Sequence, residues 1–228
     1  MTDVHFDSDN HTYSIEGLRV RFSVTELVAS FFEKFNADII TRKIVSGCKP
    51  DSEYWGMTVD DIKIKWEQDR HLGTLMHEKI HKFYLEGEDM RDQDKVGDLF
   101  PIFYQYRKDW ELIYSEFIII DKSGSVAGTI DALFRTPDGK IVLVDWKRSK
   151  NISFHSPRMG KSICAHLPNC NGIHYSLQLN MYKHILENSY NIKVDDMVLI
   201  NLHPCHSKVQ EIHIPNMGNI ISQMISSV

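Results

Sequence analysis

Acidic residues are missing from one long stretch of this chain: between Trp146 and Leu186 there is no Asp and no Glu. Cysteine is scarce as well, with only Cys48, Cys164, Cys170 and Cys205 among 228 residues. That is too sparse for the disulfide framework of a small secreted domain, so a soluble protein in a reducing, intracellular setting is expected. No run of 18 apolar residues occurs, so no membrane-spanning helix and no membrane partner are expected. Internal repeats and low-complexity tracts are absent too. The opening residues Met1-Thr2-Asp3-Val4-His5-Phe6 have neither the basic-then-apolar order of a secretory signal nor the Arg-rich character of a transit peptide.

What is present fits one well-filled core. The chain is 42% hydrophobic and 25% charged, as an ordinary globular protein is. The expected organisation is a single unit over 1–228, mainly helical over 1–110, with the sheet core over 111–228. The net charge of −5 hides a sharp asymmetry. The acid-free stretch carries six cations, Lys147, Arg148, Lys150, Arg158, Lys161 and Lys183, which leaves −11 for the rest of the chain. Such segregation suits a protein that neutralises a polyanion at one place, although a solvated basic loop has the same composition.

Residues 4–21 read as a small hairpin turning at Asp9-Asn10. Ser23 and Glu26 form a capping box that starts a helix with Val24, Leu27, Val28, Phe31 and Phe32 as its apolar stripe. A flexible connector is expected over Cys48 to Glu53. Beyond it Ile62, Trp66, Leu72, Leu75, Ile80 and Phe83 recur at helical spacing between Thr58 and Tyr84. Another helix is expected from Val96 to Trp110. Strands follow at Tyr114–Ile120, Val126–Arg135 and Ile141–Val144, joined by turns at Lys122-Ser123-Gly124 and Pro137-Asp138-Gly139. The third run is apolar without alternation, as in a strand buried on both faces. A helix over Tyr175–Tyr190, strands at Met197–His203 and Val209–Ile214, and a short final helix complete the pattern. This order predicts an α+β (mixed α/β) fold with a central mixed sheet flanked by helices.

Two carboxylates stand where structure alone gives no reason for them. Asp131 interrupts the apolar run Ile130-Asp131-Ala132-Leu133-Phe134, and Asp145 ends the most apolar strand. Burying a lone carboxylate is costly unless it is paired or binds a metal. Lys147 lies two residues beyond Asp145 and so projects from the same strand face. Neighbouring strands can bring Asp131 beside Asp145, and a hard divalent cation would relieve their repulsion. Lys147 could then orient or deprotonate a water, or stabilise charge on a phosphate. Alone, Asp-x-Lys is more often a surface ion pair.

The company it keeps matters more. Gly128-x-x-Asp131, a turn, an apolar strand and Asp145-Trp146-Lys147 together resemble the PD-(D/E)XK nucleases. Gln178-Leu179-Asn180-Met181-Tyr182 and Gly73-Thr74-Leu75-Met76-His77 match the Gln-x-x-x-Tyr and Gly-x-x-x-His motifs of the RecB-like branch. Ser23-Val24-Thr25-Glu26-Leu27 and the Leu177-Gln178-Leu179-Asn180-Met181-Tyr182 context look closest to the mitochondrial genome maintenance exonuclease and its viral relatives. The resemblance implies a restriction-endonuclease-like core and a Mg²⁺- or Mn²⁺-dependent deoxyribonuclease of DNA repair, replication or recombination. It implies metal ligands at His77, Asp131, Asp145 and the backbone carbonyl of Trp146. Glu116 fits an acidic position that some relatives use for a second metal. Catalysis would fall to Asp131, Asp145, Lys147, Gln178 and Tyr182, and nucleic acid would be held by Arg148, Lys150, Arg158, Lys161, Gln178 and Tyr182. Phe154 and Tyr175 could stack on bases, and the helical region 37–86 could form a wall admitting single strands. The expected partner is DNA, single-stranded or at its ends, with RNA as the alternative, bound by a monomer.

Three other readings compete. His77-Glu78-Lys79-Ile80-His81 matches the H-E-x-x-H helix of zinc proteases but lacks an obvious third ligand beyond Glu86 or Glu88. Cys164, His166, Cys170 and His174 could make a zinc site, at spacings foreign to known fingers. An iron–sulfur cluster is not expected, because only Cys205 follows the Gln178–Tyr182 helix. A nucleic-acid-binding module without chemistry is the non-enzymatic alternative.

Overall fold

A computed structural model describes residues 4–7, 12–88, 90 and 99–227. The N-terminal hairpin forms from β1 (Val4–Asp7) and β2 (Thr12–Ile15), with β3 (Leu18–Arg19) completing a three-stranded sheet. Its expected turn at Asp9-Asn10 lies outside the described residues, as does the start expected at Val96 for the fourth helix. After β4 (Phe22–Ser23), α1 (Val24–Ser30) opens with the capping box read from the sequence: the Glu26 N–H donates to Ser23 Oγ, and the Ser23 N–H donates to Glu26 Oε2.

α2 (Ala37–Gly47) and the 28-residue α3 (Val59–Glu86) follow. Thr58 and Asp61 cap α3 reciprocally, and Gly87 ends it in the left-handed conformation that glycine adopts without strain. α4 (Phe100–Arg107) starts with Pro101, whose missing N–H costs nothing in a first turn. Then come β5 (Glu111–Ile120), β6 (Val126–Arg135), β7 (Ile141–Lys147), α5 (Asn171–Ser189), β8 (Asp196–Asn201), β9 (Gln210–His213) and α6 (Gly218–Ser226).

The main sheet is mixed. β5–β6, β6–β7 and β8–β9 are antiparallel, whereas β7–β8 is parallel, with α5 as the crossover, and β4–β6 is parallel. One face packs under α1, α5 and α6 through Leu27, Leu177, Met181, Ile221, Leu133, Leu143 and Leu199. The other packs under α3 and α4 through Met76, Ile80, Phe100, Phe103, Phe134, Val144, Trp146 and Ile200. Layers of helix, mixed sheet and helix are the α+β arrangement the element order predicts. All of β7 from Val142 to Trp146 is buried, as its unbroken apolar run requires.

β6 is forked. β5 pairs along one edge of β6, from Ala127 to Arg135. On the other edge β4 pairs only at Val126 and Ala127, and β7 only from Ala132 onward. Past Val144, β7 leaves β6 and runs on with β8, Asp145 opposite Leu199 and Lys147 opposite Asn201. The strand stretch Gly128–Asp131 therefore lines the gap between β4 and β7.

Candidate active site

The fork is closed by side chains instead of a ladder. At its head, Tyr182 of α5 packs so closely on β6 that a Cβ at Gly128 would stand 2.6 Å from its Cε1. That contact, with Val24 beside it, is why position 128 is glycine. Gln178 Nε2 donates to the Tyr182 hydroxyl at 2.9 Å, so the Gln-x-x-x-Tyr pair of α5 braces the fork. Burial pushes the Tyr182 phenol well above its usual pKa and keeps it neutral. At the mouth, Asp131 spans the gap: its Oδ2 accepts the Trp146 N–H at 2.8 Å, the amide released where β7 departs.

Alternation slips by one residue here. Tyr114 and Phe117 both reach the core under α5, their rings stacked at 4.2 Å, and so do Ile130 and Leu133 on the facing strand. Glu116 absorbs the slip with a φ of 49°, a left-handed conformation that costs a non-glycine residue about 1–2 kcal/mol. Slips of this kind re-aim side chains beside functional sites. Here Ser115 and Glu116 both meet α3: Ser115 Oγ is 2.8 Å from His81 Nδ1, and Glu116 Oε1 is 3.5 Å from His77 Nδ1.

His77 thus faces two carboxylates, with Asp131 Oδ2 also 3.5 Å from its Nδ1. Its Nε2 lies 2.9 Å from the Trp146 carbonyl, to which it donates, leaving Nδ1 toward the acids. His77, Glu116 and Asp131 each offer a ligand atom within 4.8 Å of the others, and they form the one such convergent group among the described residues. Burial opposes the imidazolium, but Asp131 and Glu116 outweigh it and lift the His77 pKa to about 9. Burial likewise drives the Asp131 carboxyl above its ordinary pKa, against the pull of His77 and Lys147.

Asp145 and Lys147 are the next layer. Lys147 Nζ lies 2.6 Å from Asp145 Oδ2. Both Asp145 oxygens are sealed from solvent, with the Lys147 ammonium as their partner. Burial raises the Asp145 pKa to about 6 in spite of the ammonium beside it. Burial works against the Lys147 ammonium, yet Asp145 and Asp131 together raise its pKa. The Tyr175 ring lies 4.5 Å from Nζ, adding a cation–π contact.

Several expectations are thereby altered. Asp145 does not join the convergent group, because the β6–β7 ladder stops at Ala132–Val144 and Lys147 takes its carboxylate. The Trp146 carbonyl serves as acceptor for His77, which fixes the orientation of the imidazole. Glu116 stands in the group instead. The H-E-x-x-H geometry fails: His81 is turned to Ser115, and Glu78 pairs with Lys82 at the surface. Cys164, His166, Cys170 and His174 do not converge.

The basic stretch is not a bare cationic track. Lys150 pairs with Glu53, Arg158 approaches Glu33 at 3.8 Å, and Lys183 pairs with Glu187 at 3.1 Å. Lys161 lines a separate groove of about 860 Å³ with Phe32, Phe35 and Arg158. Phe154 packs against the core at Gly172, and Tyr175 sits against Lys147, so the two aromatic side chains are occupied within the fold. Asn201 was missed in the sequence, though a buried Asn in the apolar run Met197–Leu202 carries the same signal as Asp131. Its side chain accepts the Ser149 N–H and donates to the Ser149 carbonyl, pinning the segment that follows Lys147.

A cleft of about 360 Å³ opens onto this constellation, lined by Asp69, Arg70, Gly73 and Thr74 of α3 and by His77, Glu116, Lys147, Arg148 and Tyr175. Gly73 has nothing within 4 Å of where a Cβ would stand, so the α3 wall is open at that point. Among the described residues no helix is long and apolar enough to cross a membrane.

The donor set suits a divalent cation. One imidazole nitrogen and carboxylate oxygens favour Mn²⁺ or Mg²⁺ over a thiolate-seeking metal. The buried Asp145 carboxylate, paired with Lys147, lies beside the group.

The chain matches no protein-family model and no curated protein. Among solved structures it resembles the protein SSO0001, at 15% identity and a TM-score of 0.37 over 90% of this chain and 73% of that one. It also resembles a protein from Eubacterium rectale provisionally named an exonuclease, at 11% identity and a TM-score of 0.42 over 90% and 76%. Likeness at that level carries no inference about chemistry.

Proposed function

We propose that this chain is a divalent-metal-dependent nuclease of the PD-(D/E)XK, RecB-like type that cleaves DNA, preferentially single strands or ends. The observation that carries the reading is the convergence of His77, Glu116 and Asp131 at the strand fork, with the Asp145–Lys147 pair beside it. A buried carboxylate and a half-buried one held together beside an imidazole are a poor structural choice but a good cation site.

His77, Glu116 and Asp131 would hold the ion, with an Asp145 oxygen as a further ligand. A bound Mg²⁺ or Mn²⁺ supplies Lewis acidity and an activated water for attack on a phosphodiester. The chain's own residues do the rest. The Trp146 carbonyl holds His77 with Nδ1 toward the acids, and the Trp146 amide fixes Asp131. Lys147, whose pKa is raised, stays an ammonium at neutral pH. Its part is therefore to donate to a phosphate oxygen or a water and to stabilise charge as it develops, not to accept a proton. Tyr175 and Asp145 hold that ammonium in place, while Gln178 and Tyr182 keep the fork open at the required width. The wall formed by α3 flanks the cleft and would favour a single strand over a duplex.

The test is cleavage of an end-labelled single-stranded oligonucleotide, and of its duplex, by wild type and Asp131→Asn with Mg²⁺, Mn²⁺ or EDTA. Metal-dependent cleavage that Asp131→Asn abolishes is the expected result, and the product ladder distinguishes exonuclease from endonuclease. Tight binding without cleavage under any metal would overturn the enzymatic reading in favour of a binding module.

A further inference from the structure

Arg148 follows the active-site lysine, and its environment does not account for it. Its side chain is 7% exposed, and both Nε and Nη1 are closed to solvent without a hydrogen-bond partner. The nearest carboxylate oxygen, Asp69 Oδ1 on α3, lies 4.0 Å from Nη1, beyond hydrogen-bonding reach. A guanidinium stays charged at any ordinary pH, so burying its donors unmet is costly.

The surroundings compensate it only in part: Asp69 stands off at 4.0 Å, and the nearby Lys150 is itself paired with Glu53. Burial, followed by the charges of Arg148 and Lys150, holds His203 down to about 4, so its imidazole is neutral. The backbone that carries Arg148 is fixed, since both main-chain polar groups of Ser149 are bound to the buried Asn201 side chain. The guanidinium also lines the same cleft as His77 and Glu116, across from the open wall at Gly73. A planar fork of donors with unmet hydrogen-bonding capacity, carried on a fixed backbone, matches phosphate oxygens.

We propose that Arg148 binds a phosphate, one of the non-reacting phosphates of a strand lying in the cleft, and that this phosphate displaces the Asp69 carboxylate. The strand as its source rests on the nuclease reading; the phosphate site itself does not. Asp69, 38% exposed and shared at 3.8 Å with Lys65, is free to swing aside.

Two probes separate these claims, both used on the whole protein in EDTA so that no cleavage is needed. Inorganic phosphate is followed by ³¹P line broadening. A 12-residue oligothymidylate is followed by fluorescence anisotropy over a range of KCl concentrations. Asp69→Asn should tighten phosphate binding roughly fivefold, the effect of one charge removed at close range in a half-exposed setting. Arg148→Gln should abolish phosphate binding and reduce the salt slope for oligothymidylate by about 0.7, one phosphate contact on a single strand. In the Arg148→Gln background, Asp69→Asn should have no effect. An equal gain from Asp69→Asn in both backgrounds, or no gain in either, overturns the site. Should Arg148→Gln not fold, Asp69→Asn and Arg148→Lys still decide it, since a lysine loses the fork and weakens binding. Phosphate binding with an unchanged oligothymidylate slope overturns the strand as the source and leaves a site for free phosphate. Loss of cleavage in the Asp131→Asn assay bears on the nuclease reading alone.

Discussion

Replacing Lys147 with methionine keeps the stem of the side chain and deletes the ammonium 2.6 Å from Asp145 Oδ2. Asp145 is 1% exposed and Lys147 is its partner, so its charge would be left buried and alone. Breaking a buried pair from one side costs about 3–5 kcal/mol. For a chain of this size each kcal/mol moves the melting temperature by about 2–4 °C, so a fall of roughly 6–20 °C is expected in EDTA at pH 8. The sign with pH follows from the carboxyl. A group whose folded pKa is raised contributes stability below its unfolded value, near 3.9, and loses it as pH climbs through the folded value. For Asp145 the folded value is about 6 with Lys147 present, and higher without it. The penalty of Lys147→Met should therefore be full at pH 8 and nearly gone at pH 4.5, where Asp145 is protonated. Thermal unfolding of wild type, Lys147→Met, Asp145→Asn and the double variant closes a mutant cycle. A Lys147→Met penalty equally large in the Asp145→Asn background, or equally large at pH 4.5, would refute the idea that the lysine offsets a buried carboxylate. Loss of activity in a Lys147 variant consequently needs a stability measurement beside it.

Other expectations concern the neighbouring groups. His77 is protonated at neutral pH in the metal-free protein, since its pKa is about 9, and an ion must displace that proton. Mn²⁺ affinity followed by calorimetry should therefore rise about tenfold per pH unit between pH 6.5 and 8; a flat profile would mean that His77 is not a ligand. Gly128→Ala drives a methyl to 2.6 Å from Tyr182. Denaturant unfolding should show a loss of about 1–3 kcal/mol, and cleavage should fall with it as the fork is forced apart. Glu78→Gln should leave cleavage unchanged, because Glu78 is paired with Lys82 at the surface; a large loss would revive the protease reading.

Local signals carried the element order and the identity of the charged cluster. The Ser23–Glu26 and Thr58–Asp61 caps act within three residues, and the Val126–Arg135 strand is bounded by its own turns, so nearby sequence suffices to place them. Asp131 and Asp145 were conspicuous because a carboxylate in an apolar strand needs a partner wherever the strand packs. Arrangement was not local. Whether Asp145 meets the His77–Glu116–Asp131 group or Lys147 depends on where two strands part, and Tyr182 fills that fork from a helix remote in sequence. Glu116 could not be ranked, since its direction comes from a one-residue slip shared by two strands. The acid-free stretch looked like an open basic track, yet Glu33, Glu53 and Asp69 fold back onto its cations, because composition records which charges exist and not which ones meet. The sequence by itself thus determined the fold class and the chemical kinds of side chain available. Tertiary structure alone decided which of them converge, because distances between residues remote in the chain are fixed only when strands pair and helices pack upon them.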